Sequence, residues 1–467
     1  MAGGGGSDRQ TESLLAKLSE PSLHSSSEEH PVKRTGTVWT AMAHVITAVI
    51  GSGVLSLAWS VAQLGWIGGP AAMVLFAGMT VIQSSLLADC YISRDPERGL
   101  VRNRSYVDAV SLYLGKKSQM FCGFFLGFSL FGSAVVYTLA SATSMRAFQK
   151  ASCYHRQGRG APPCSAAAEG DGYYIFLFGL AQAVLSQIPD FHNMAWLSVI
   201  AAVMSFSYSF IGFSLGAAKV IENGGIKGEI GGIPLASPTQ KVWRVAQAIG
   251  DIAFAYPYSL VLPVIQDTLR SPPSESETMK TASRASIAIT TFFYLGCGCF
   301  GYAAFGDDTP GNLLTGFSDH HWLVGLANLC VVLHLLGGYQ VYTQPVFALV
   351  ERRFGGDAYA VDVELPLLGG RRRVNLFRLG FRTAYVAAAT AMAVWFPYFN
   401  QVVGLIGAFT TWPLDIYFPV QMYLAQANVA PWTGRWFALQ AFSATCLLVC
   451  AFASVGSAVG VLGLERS

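Results

Sequence analysis

The chain has 467 residues, of which 52% are hydrophobic and only 12% are charged, and its formal net charge is +3. A soluble globular domain carries roughly 25% charged residues, so a large soluble protein is excluded because its surface would have too few groups to face water. The lysines and arginines are spread over loops, which gives no basic patch for nucleic acid. Alternating polar and apolar strands are missing as well, which excludes an outer-membrane barrel.

Long stretches of the chain lack Asp, Glu, Lys and Arg, beginning with residues 35–88. A membrane-spanning helix needs ~20 mainly apolar residues. Division of the apolar stretches at the charged loops predicts an all-α integral membrane domain over residues 35–467, preceded by a disordered cytosolic tail at residues 1–34 that is rich in Gly, Ser and Glu. The eleven predicted spans lie near residues 37–62, 66–88, 119–147, 172–189, 194–219, 242–266, 284–305, 321–349, 377–396, 398–424 and 436–463.

The distribution of lysine and arginine predicts the orientation of these spans. Cytosolic loops are enriched in both residues, which places the N-terminus, the loop at 89–118 and the basic run at 371–373 in the cytosol. An odd number of spans then places the C-terminus outside the cell. The loop between spans 3 and 4 is extracellular in this topology and holds Cys153 and Cys164. A disulfide between them is favoured over two free thiols because that face is oxidising.

Two short motifs match enzyme signatures but lie in the wrong context. Residues 212–216 read Gly-Phe-Ser-Leu-Gly, like a nucleophile elbow, and residues 296–301 read Gly-Cys-Gly-Cys-Phe-Gly, like a dinucleotide fingerprint. Both motifs require a strand followed by a turn and a helix. Here each lies inside an apolar span, where small residues permit close helix packing. The sequence also has no P-loop and no metal-ligand spacing, so we predict neither an enzyme nor a metal or cofactor site.

Two of the predicted spans are interrupted in the middle. Span 1 contains Gly51 and Gly53 around a serine, and span 6 contains Pro257, with Pro263 further on. Irregular backbone at membrane depth is tolerated where it lines a cavity. If spans 1–5 (37–219) and 6–10 (242–424) are inverted repeats, the two breaks occupy corresponding positions, which is the best sequence indication of a transporter's binding site. The alternative is that these residues only permit kinks or packing.

The breaks suit a zwitterionic ligand, which carries one negative and one positive charge. A half-helix that begins after the span 1 break presents free N–H groups and a positive dipole end to a carboxylate. Carbonyl groups released from both breaks can accept hydrogen bonds from an ammonium group. Tyr137 on span 3 and Tyr339 on span 8 are candidate donors to the ligand, with aromatic packing as the alternative. The remaining candidate binding residues are Ile50, Gly51, Ser52, Gly53, Val54, Ala253, Phe254, Ala255 and Tyr256.

Ionisable residues inside spans are costly and therefore indicate function. Asp251 precedes the span 6 break, and partial desolvation would favour its protonated form, which makes it a candidate proton carrier; the alternative is a structural acid paired with Arg244. Asp415 on span 10 is a second candidate, with pairing inside the bundle as its alternative. His44 on span 1 and His334 on span 8 can also exchange protons, unless they are neutral hydrogen-bonding residues.

Five stretches of the sequence are distinctive as a set: residues 36–41, 44–59, 186–191, 250–256 and 311–317. Through these stretches, and along nearly its whole length, the chain resembles the plant amino-acid permeases of the amino acid/auxin permease family, within the APC superfamily. The resemblance implies a LeuT-like fold, which is a 5+5 inverted repeat, with an eleventh transmembrane helix. It also implies proton symport of L-amino acids at a plant plasma membrane.

The chain departs from the family pattern near the expected pocket. Pro257 stands where Ser is usual, Val264 and Gln421 replace Glu, Asp415 replaces Thr, and Val136 replaces Gly. These departures leave open which amino acids are carried.

The expected function is import of a broad range of mainly neutral L-amino acids by a multi-pass plasma-membrane symporter, which works as a monomer in the lipid bilayer and co-transports a proton. Sodium coupling is one alternative, but span 8 offers only Thr343 of the Ser/Thr pair that usually binds sodium in such folds. The other alternative is an amino-acid-sensing receptor, which the short N-terminal tail disfavours. A channel would show rings of like charge or a repeated filter segment, and neither occurs.

Overall fold

The computed structural model describes residues 34–95, 99–157, 170–188, 195–235, 237–317, 321–354, 359–365 and 370–462. Of the predicted tail, only Arg34 is within these ranges. The α-helices, in chain order, are α1 (Val38–Val49), α2 (Leu57–Asp89), α3 (Tyr106–Gln157), α4 (Asp171–Leu185), α5 (Ala195–Asn223), α6 (Pro238–Ala255), α7 (Leu262–Asp267), α8 (Glu275–Phe305), α9 (His321–Phe354), α10 (Leu376–Trp395), α11 (Phe399–Thr411), α12 (Phe418–Gln426) and α13 (Gly434–Val461).

Each predicted span falls on one of these helices or on two helices separated by a break. Among the described residues, α2, α3, α5, α8, α9 and α13 are long and apolar enough to cross a membrane alone. Helix α10 and the helical segment Phe399–Gln426 of span 10 are long and apolar enough only when taken together, and they are bent by 119° where they meet. Helices α1 and α4 are apolar but shorter. The all-α membrane fold is thus confirmed, whereas the total of eleven spans stays a prediction.

Two segments predicted as loops contain β-hairpins. Strands β1 (Ile92–Asp95) and β2 (Gly99–Arg102) pair antiparallel, and so do β3 (Ala360–Leu365) and β4 (Gly370–Asn375). The sequence analysis missed these strands because each is only four to six residues long, which is too short for a clear alternating pattern.

Helix α2 contains the last part of span 1 and all of span 2, and it turns sharply at Gly65. Its φ angle is 77°, and a Cβ there would lie 2.1 Å from the carbonyl oxygen of Ile230, so no other residue fits. The segment between α5 and α6 packs on this turn, with the N–H of Ile233 donating to the carbonyl of Ala62 at 2.8 Å. The Nζ of Lys241 donates to the carbonyl of Gln63, also at 2.8 Å. The predicted boundary between spans 1 and 2 therefore coincides with a turn at Gly65, and hydrogen bonds from the α5–α6 segment and from Lys241 stabilise this turn.

A cluster of charges joins segments that the topology places together in the cytosol. Asp267 at the end of α7 is fully buried and accepts hydrogen bonds from Arg34 at 2.9 Å and from Tyr91 at 2.6 Å. Arg104 lies 3.5 Å from the other carboxylate oxygen. Burial and the neighbouring Asp267 carboxylate raise the pKa of the Tyr91 phenol. These contacts bring the start of α1, the β1–β2 region and the end of α7 to one end of the bundle, and the side of the membrane that this end faces stays a prediction.

The two discounted motifs are helix-packing surfaces. A Cβ at Gly298 would lie 2.7 Å from the terminal methyl of Met73 on α2, and a Cβ at Gly296 would lie 2.3 Å from the ring of Phe213 on α5. Helix α8 therefore packs closely against both neighbours, as the sequence predicts for small residues in an apolar span.

Seven of the described cysteines are free, and Cys153 near the end of α3 is disulfide-bonded. Its predicted partner, Cys164, lies outside the described residues.

Candidate functional site

The predicted breaks in spans 1 and 6 are both present. Helix α1 ends at Val49, a 3-10 turn covers Ser52–Leu55, and α2 begins at Leu57. Helix α6 ends at Ala255, and α7 begins at Leu262. In span 6 the cause is Pro257, which has no N–H to continue the helical hydrogen bonds; Tyr256 before it still has helical angles, with φ −97° and ψ −26°.

The two breaks touch each other. A Cβ at Gly53 would lie 2.9 Å from the Cα of Ala255, so the backbones approach as closely as glycine permits. The hydroxyl of Tyr294 on α8 lies 2.7 Å from the carbonyl oxygen of Val49 and 2.9 Å from that of Ala255. These are the last residues of α1 and α6. Tyr294 therefore ties the two helix ends to each other at the point where both helices release their carbonyl groups.

Polar groups at the span 1 break remain available to a ligand. The Ser52 hydroxyl is buried and has no hydrogen-bond partner in the described part of the chain. The space beside Gly51 is open, since a Cβ there would meet only the Tyr137 hydroxyl, at 3.7 Å. On the other side, Tyr208 of α5 donates to the Gly51 carbonyl at 2.9 Å. The break thus offers a hydroxyl and the first N–H groups of a helical turn on a surface that Tyr137 faces.

Of the tyrosines on α9, Tyr342 and not the predicted Tyr339 contacts Tyr137. Tyr342, which the sequence analysis did not select, packs edge-on against Tyr137, with ring centroids 5.5 Å apart. A Cβ at Gly338 would lie 2.9 Å from the Tyr137 ring. Tyr339 instead packs its ring on Phe178 of α4, 6.0 Å away. Gly338 and Tyr342 are four residues apart on one helix face, and that spacing was the available signal.

Asp251 is fully buried among α6, α11 and α2. One carboxylate oxygen accepts from the Nδ2 of Asn400 on α11 at 3.0 Å, and the other has no hydrogen-bond partner among the described residues. The Ser60 hydroxyl of α2 faces the same carboxyl group. The structural alternative, pairing with Arg244, is not observed, because that guanidinium lies over the ring of Trp59 at 5.9 Å. Asp251 is thus a buried acid that accepts a hydrogen bond from a neutral amide.

Asp415 lies directly at the span 6 break. Span 10 is not a regular helix, because residues Trp412–Tyr417 form a π-helical turn between α11 and α12, and this turn carries Asp415. Its carboxylate accepts a hydrogen bond from the Ser259 hydroxyl, which in turn accepts from Nε2 of Gln83 at 2.7 Å. A small cavity adjoins the carboxylate, and its lining includes Phe76, Thr80, Gln83, Ala253 and Tyr256.

The two candidate histidines differ in their surroundings. His334 is buried, its Nδ1 lies 2.7 Å from the carbonyl of Ala201, and its Nε2 has no partner in the described ranges. Its ring packs against Tyr208, the residue that donates to Gly51. His44 on α1 is half-buried and makes no hydrogen bond within the described residues. The structure therefore connects His334, and not His44, to the span 1 break.

The comparisons with known proteins identify the family. The model of the family described as "Transmembrane amino acid transporter protein" matches residues 34–462 of this chain. A "Probable amino acid permease 7" of Arabidopsis thaliana is 53% identical over 97% of this chain and 98% of its own length. "Amino acid permease 3" of the same plant is 51% identical over 92% of this chain and 91% of its own length.

Among solved structures, the crystal structure of MhsT in complex with L-phenylalanine has 12% sequence identity and a TM-score of 0.49, and it covers 92% of this chain and 100% of its own. The permease relatives are transporters and not enzymes, which confirms the prediction that this protein is no enzyme. Since the family match covers nearly the whole chain, the protein belongs to the transmembrane amino acid transporter family.

Proposed function

We propose that this amino-acid transporter is a symporter that imports a broad range of mainly neutral L-amino acids across the plasma membrane together with protons. Amino-acid transport itself follows from the family. The observation that supports a single central substrate site is the contact between the two breaks, with Tyr294 joining the ends of α1 and α6. Irregular backbone from both repeats meets at this one position, as expected for a site at the interface between the repeats.

The substrate's carboxylate would bind at Gly51–Val54. The unpaired Ser52 hydroxyl and the N–H groups at the start of a helical turn are suitable donors for an anion. The ammonium group would face the carbonyls near Ala253–Tyr256, where α6 stops. Tyr137 would close this site from α3, since its hydroxyl faces the open side of Gly51.

Asp251 would carry the proton. A buried carboxylate without a cation is costly, by several kcal/mol in typical proteins, and Asp251 has no ion pair among the described residues. The conformation described here therefore favours the protonated acid, and release of the proton requires hydration when the repeats rock to the other state. Asp415 is a second candidate because it lies against the span 6 break.

The test is ΔpH-driven uptake of a radiolabelled neutral amino acid into proteoliposomes that contain the Asp251→Asn variant. We expect the variant to bind and exchange substrate but not to accumulate it against a gradient, because asparagine cannot release a proton. Asp308→Asn, at an exposed position, is the matched control and should accumulate normally. Wild-type accumulation by Asp251→Asn would remove Asp251 from the mechanism. Binding by the wild-type protein without any accumulation would favour the sensor instead.

Sodium coupling is the alternative within the same class. Thr343, the hydroxyl expected at such a site, donates to the carbonyl of Tyr339 within its own helix at 3.0 Å. Replacement of sodium by choline should therefore leave uptake unchanged, and a dependence on sodium would overturn proton coupling as the sole driving force.

The proposed orientation has a cytosolic N-terminus, an extracellular C-terminus and a functional monomer. The contacts of Arg34 and Arg104 with Asp267 support it, because they gather the basic N-terminal side at one end of the bundle. A C-terminal epitope should be stained by antibody in intact cells, and an N-terminal epitope only after permeabilisation. The reverse pattern would overturn the orientation, and staining of neither epitope in intact cells would overturn the odd number of spans.

A further inference from the structure

The segment between α8 and α9, residues 306–317, enters the helix bundle. Leu313 and Leu314 in its second 3-10 turn are both buried. A Cβ at Gly301 on α8 would lie 2.8 Å from the Leu313 side chain. A Cβ at Gly212 on α5 would lie 3.5 Å from the Leu314 side chain. Because the same turn also contacts α2, α3 and α9, two apolar side chains fix the segment among five helices.

The α8–α9 segment lies at the end of the bundle that is opposite the charge cluster at Asp267. The N–H of Lys227, in the connection between α5 and α6, donates to the carbonyl of Ala303 near the end of α8 at 3.0 Å. The same connection packs on the Gly65 turn. Helix α2 continues from this turn to its other end, just before Tyr91, which donates to Asp267. In the proposed orientation, the α8–α9 segment therefore faces the outside.

Gly311 of this segment meets Asn400, which donates a hydrogen bond to Asp251. A Cβ at Gly311 would lie 2.3 Å from Oδ1 of Asn400 and 3.3 Å from its Cγ, so the backbone of the segment packs directly against this amide. The Nδ2 of the same amide donates to Oδ2 of Asp251 at 3.0 Å, and Asn400 is buried. The Asn400 side chain is therefore held between the segment on its oxygen side and the proposed proton carrier on its nitrogen side.

The other carboxylate oxygen of Asp251 is enclosed by helix packing. A Cβ at Gly404 of α11 would lie 2.9 Å from Oδ1 of Asp251 and 2.8 Å from the Ser457 hydroxyl on α13. A Cβ at Gly250 on α6 would lie 2.4 Å from the carbonyl oxygen of Gly404. Water could reach the carboxyl group from this side only if α6, α11 and α13 separated. The contact at Gly311 involves a non-helical segment, which opens at a lower cost in free energy than packed helices.

The charged side chains on the elements around Asp251 contact other groups, lie at the far ends of their helices or are exposed. They are Asp89 of α2, Lys241 and Arg244 of α6, Asp307 and Asp308 of the α8–α9 segment, and Arg435 of α13. Helix α11 carries no charged residue. The charge state of Asp251 therefore depends on hydrogen bonds such as the one from Asn400.

We infer that Asn400 is a positioning residue that couples the α8–α9 segment to Asp251. The inference rests on the proposed role of Asp251. While the segment is in place, Gly311 fixes the Asn400 amide, and this amide holds the buried carboxyl group. When the segment moves away, Asn400 is released and outside water reaches Asp251. In the loading step, a hydronium ion from this water gives its proton to the Asp251 carboxylate and leaves as a water molecule.

The test is the dependence of uptake on external pH in proteoliposomes that contain Asn400→Ala. Loss of the amide donor destabilises the ionised carboxylate, so Asp251 keeps its proton at higher pH. We expect half-maximal uptake to shift by about one pH unit toward alkaline pH, because a hydrogen bond to a charged group corresponds to about that change. A purely structural defect would lower the amount of active protein without moving this pH, and an unshifted profile overturns the inference.

Gly311→Ala tests the contact between the segment and the amide. Its methyl group would collide with Oδ1 of Asn400, so this variant should shift the profile in the same direction. Because both substitutions act through one amide, the double variant should show the shift of Asn400→Ala alone, and additive shifts would overturn the coupling. If Gly311→Ala yields no folded protein, a restored yield in the double variant supports the contact, and failure of both overturns it.

Gly316→Ala is the matched control in the same segment, since a Cβ there would lie 2.8 Å from the Phe305 ring and would disturb packing away from Asn400. It should leave the pH of half-maximal uptake unchanged, and a shift equal to that of Gly311→Ala would overturn the role of Asn400. A wild-type profile in Asn400→Ala overturns the coupling even when Asp251→Asn abolishes accumulation as proposed. Normal accumulation by Asp251→Asn overturns the proposed function itself, so the two failures are distinguishable.

Discussion

Tyr294 allows a sharp test of how the two breaks are held together. The substitution Tyr294→Phe removes only the hydroxyl, and the ring keeps its edge-on contact with Tyr256, 5.2 Å between centroids. Because the hydroxyl lies within hydrogen-bond distance of the carbonyls of Val49 and Ala255, its loss leaves a fully buried carbonyl unsatisfied. Such a loss costs about 1–3 kcal/mol. If the site forms only when the two breaks are joined, the apparent affinity for amino acids falls about 5- to 150-fold.

The assay is concentration-dependent uptake, with membrane expression measured in parallel. Tyr302→Phe is the matched control, because Tyr302 lies on the same helix and its hydroxyl contacts the backbone of Glu229, at 2.8 Å from the nitrogen, and not the breaks. We expect its KM to equal that of the wild type. An unchanged KM in Tyr294→Phe, or equal losses in both variants, would refute the idea that this hydroxyl couples the two breaks.

Three further predictions concern other parts of the molecule. Asp267→Asn should lower the free energy of unfolding of the purified protein by about 0.2–1 kcal/mol, because the partly exposed Arg34 loses its acidic partner; an unchanged melting temperature would contradict this. Gly65→Ala should reduce the folded yield strongly, since a Cβ would meet a carbonyl oxygen at 2.1 Å and the φ angle is positive; normal yield by size-exclusion chromatography would contradict it. His334→Gln should lower substrate affinity, because the imidazole ring packs against Tyr208, which donates to the span 1 break. His44→Gln should have a smaller effect. Equal KM changes in the two variants would contradict the role of Tyr208 in linking His334 to the break.

Several features of the site could be predicted because their signals are local. Gly51, Gly53 and Pro257 weaken or forbid helical hydrogen bonding wherever they occur, so the breaks were visible in the sequence. The glycines of the two false motifs were interpreted correctly for the same reason, since small residues in an apolar span need a packing partner. The π-helical turn of span 10 was missed, although Pro413 at its start was a local sign of irregular backbone.

Other features depend on which helices become neighbours. Asp415 and Ser259 are 156 residues apart, yet they form a hydrogen bond beside the span 6 break. Tyr294 belongs to a helix without any break, and nothing in its own segment distinguishes it from other buried tyrosines. Tyr342 was not selected, because its four-residue spacing from Gly338 indicates a common helix face but does not say that this face of α9 meets α3.

By itself, the sequence determined that this is a helical membrane protein, where its apolar segments lie and that spans 1 and 6 are broken, because hydrocarbon requires apolar segments with internally satisfied backbone. Only the tertiary structure decided that both breaks meet, that Tyr294 joins them, and that Asp251 is buried beside Asn400. The physical reason is that backbone propensity acts over a few residues, whereas a binding site is assembled from helices whose mutual packing depends on side-chain shape along the whole chain.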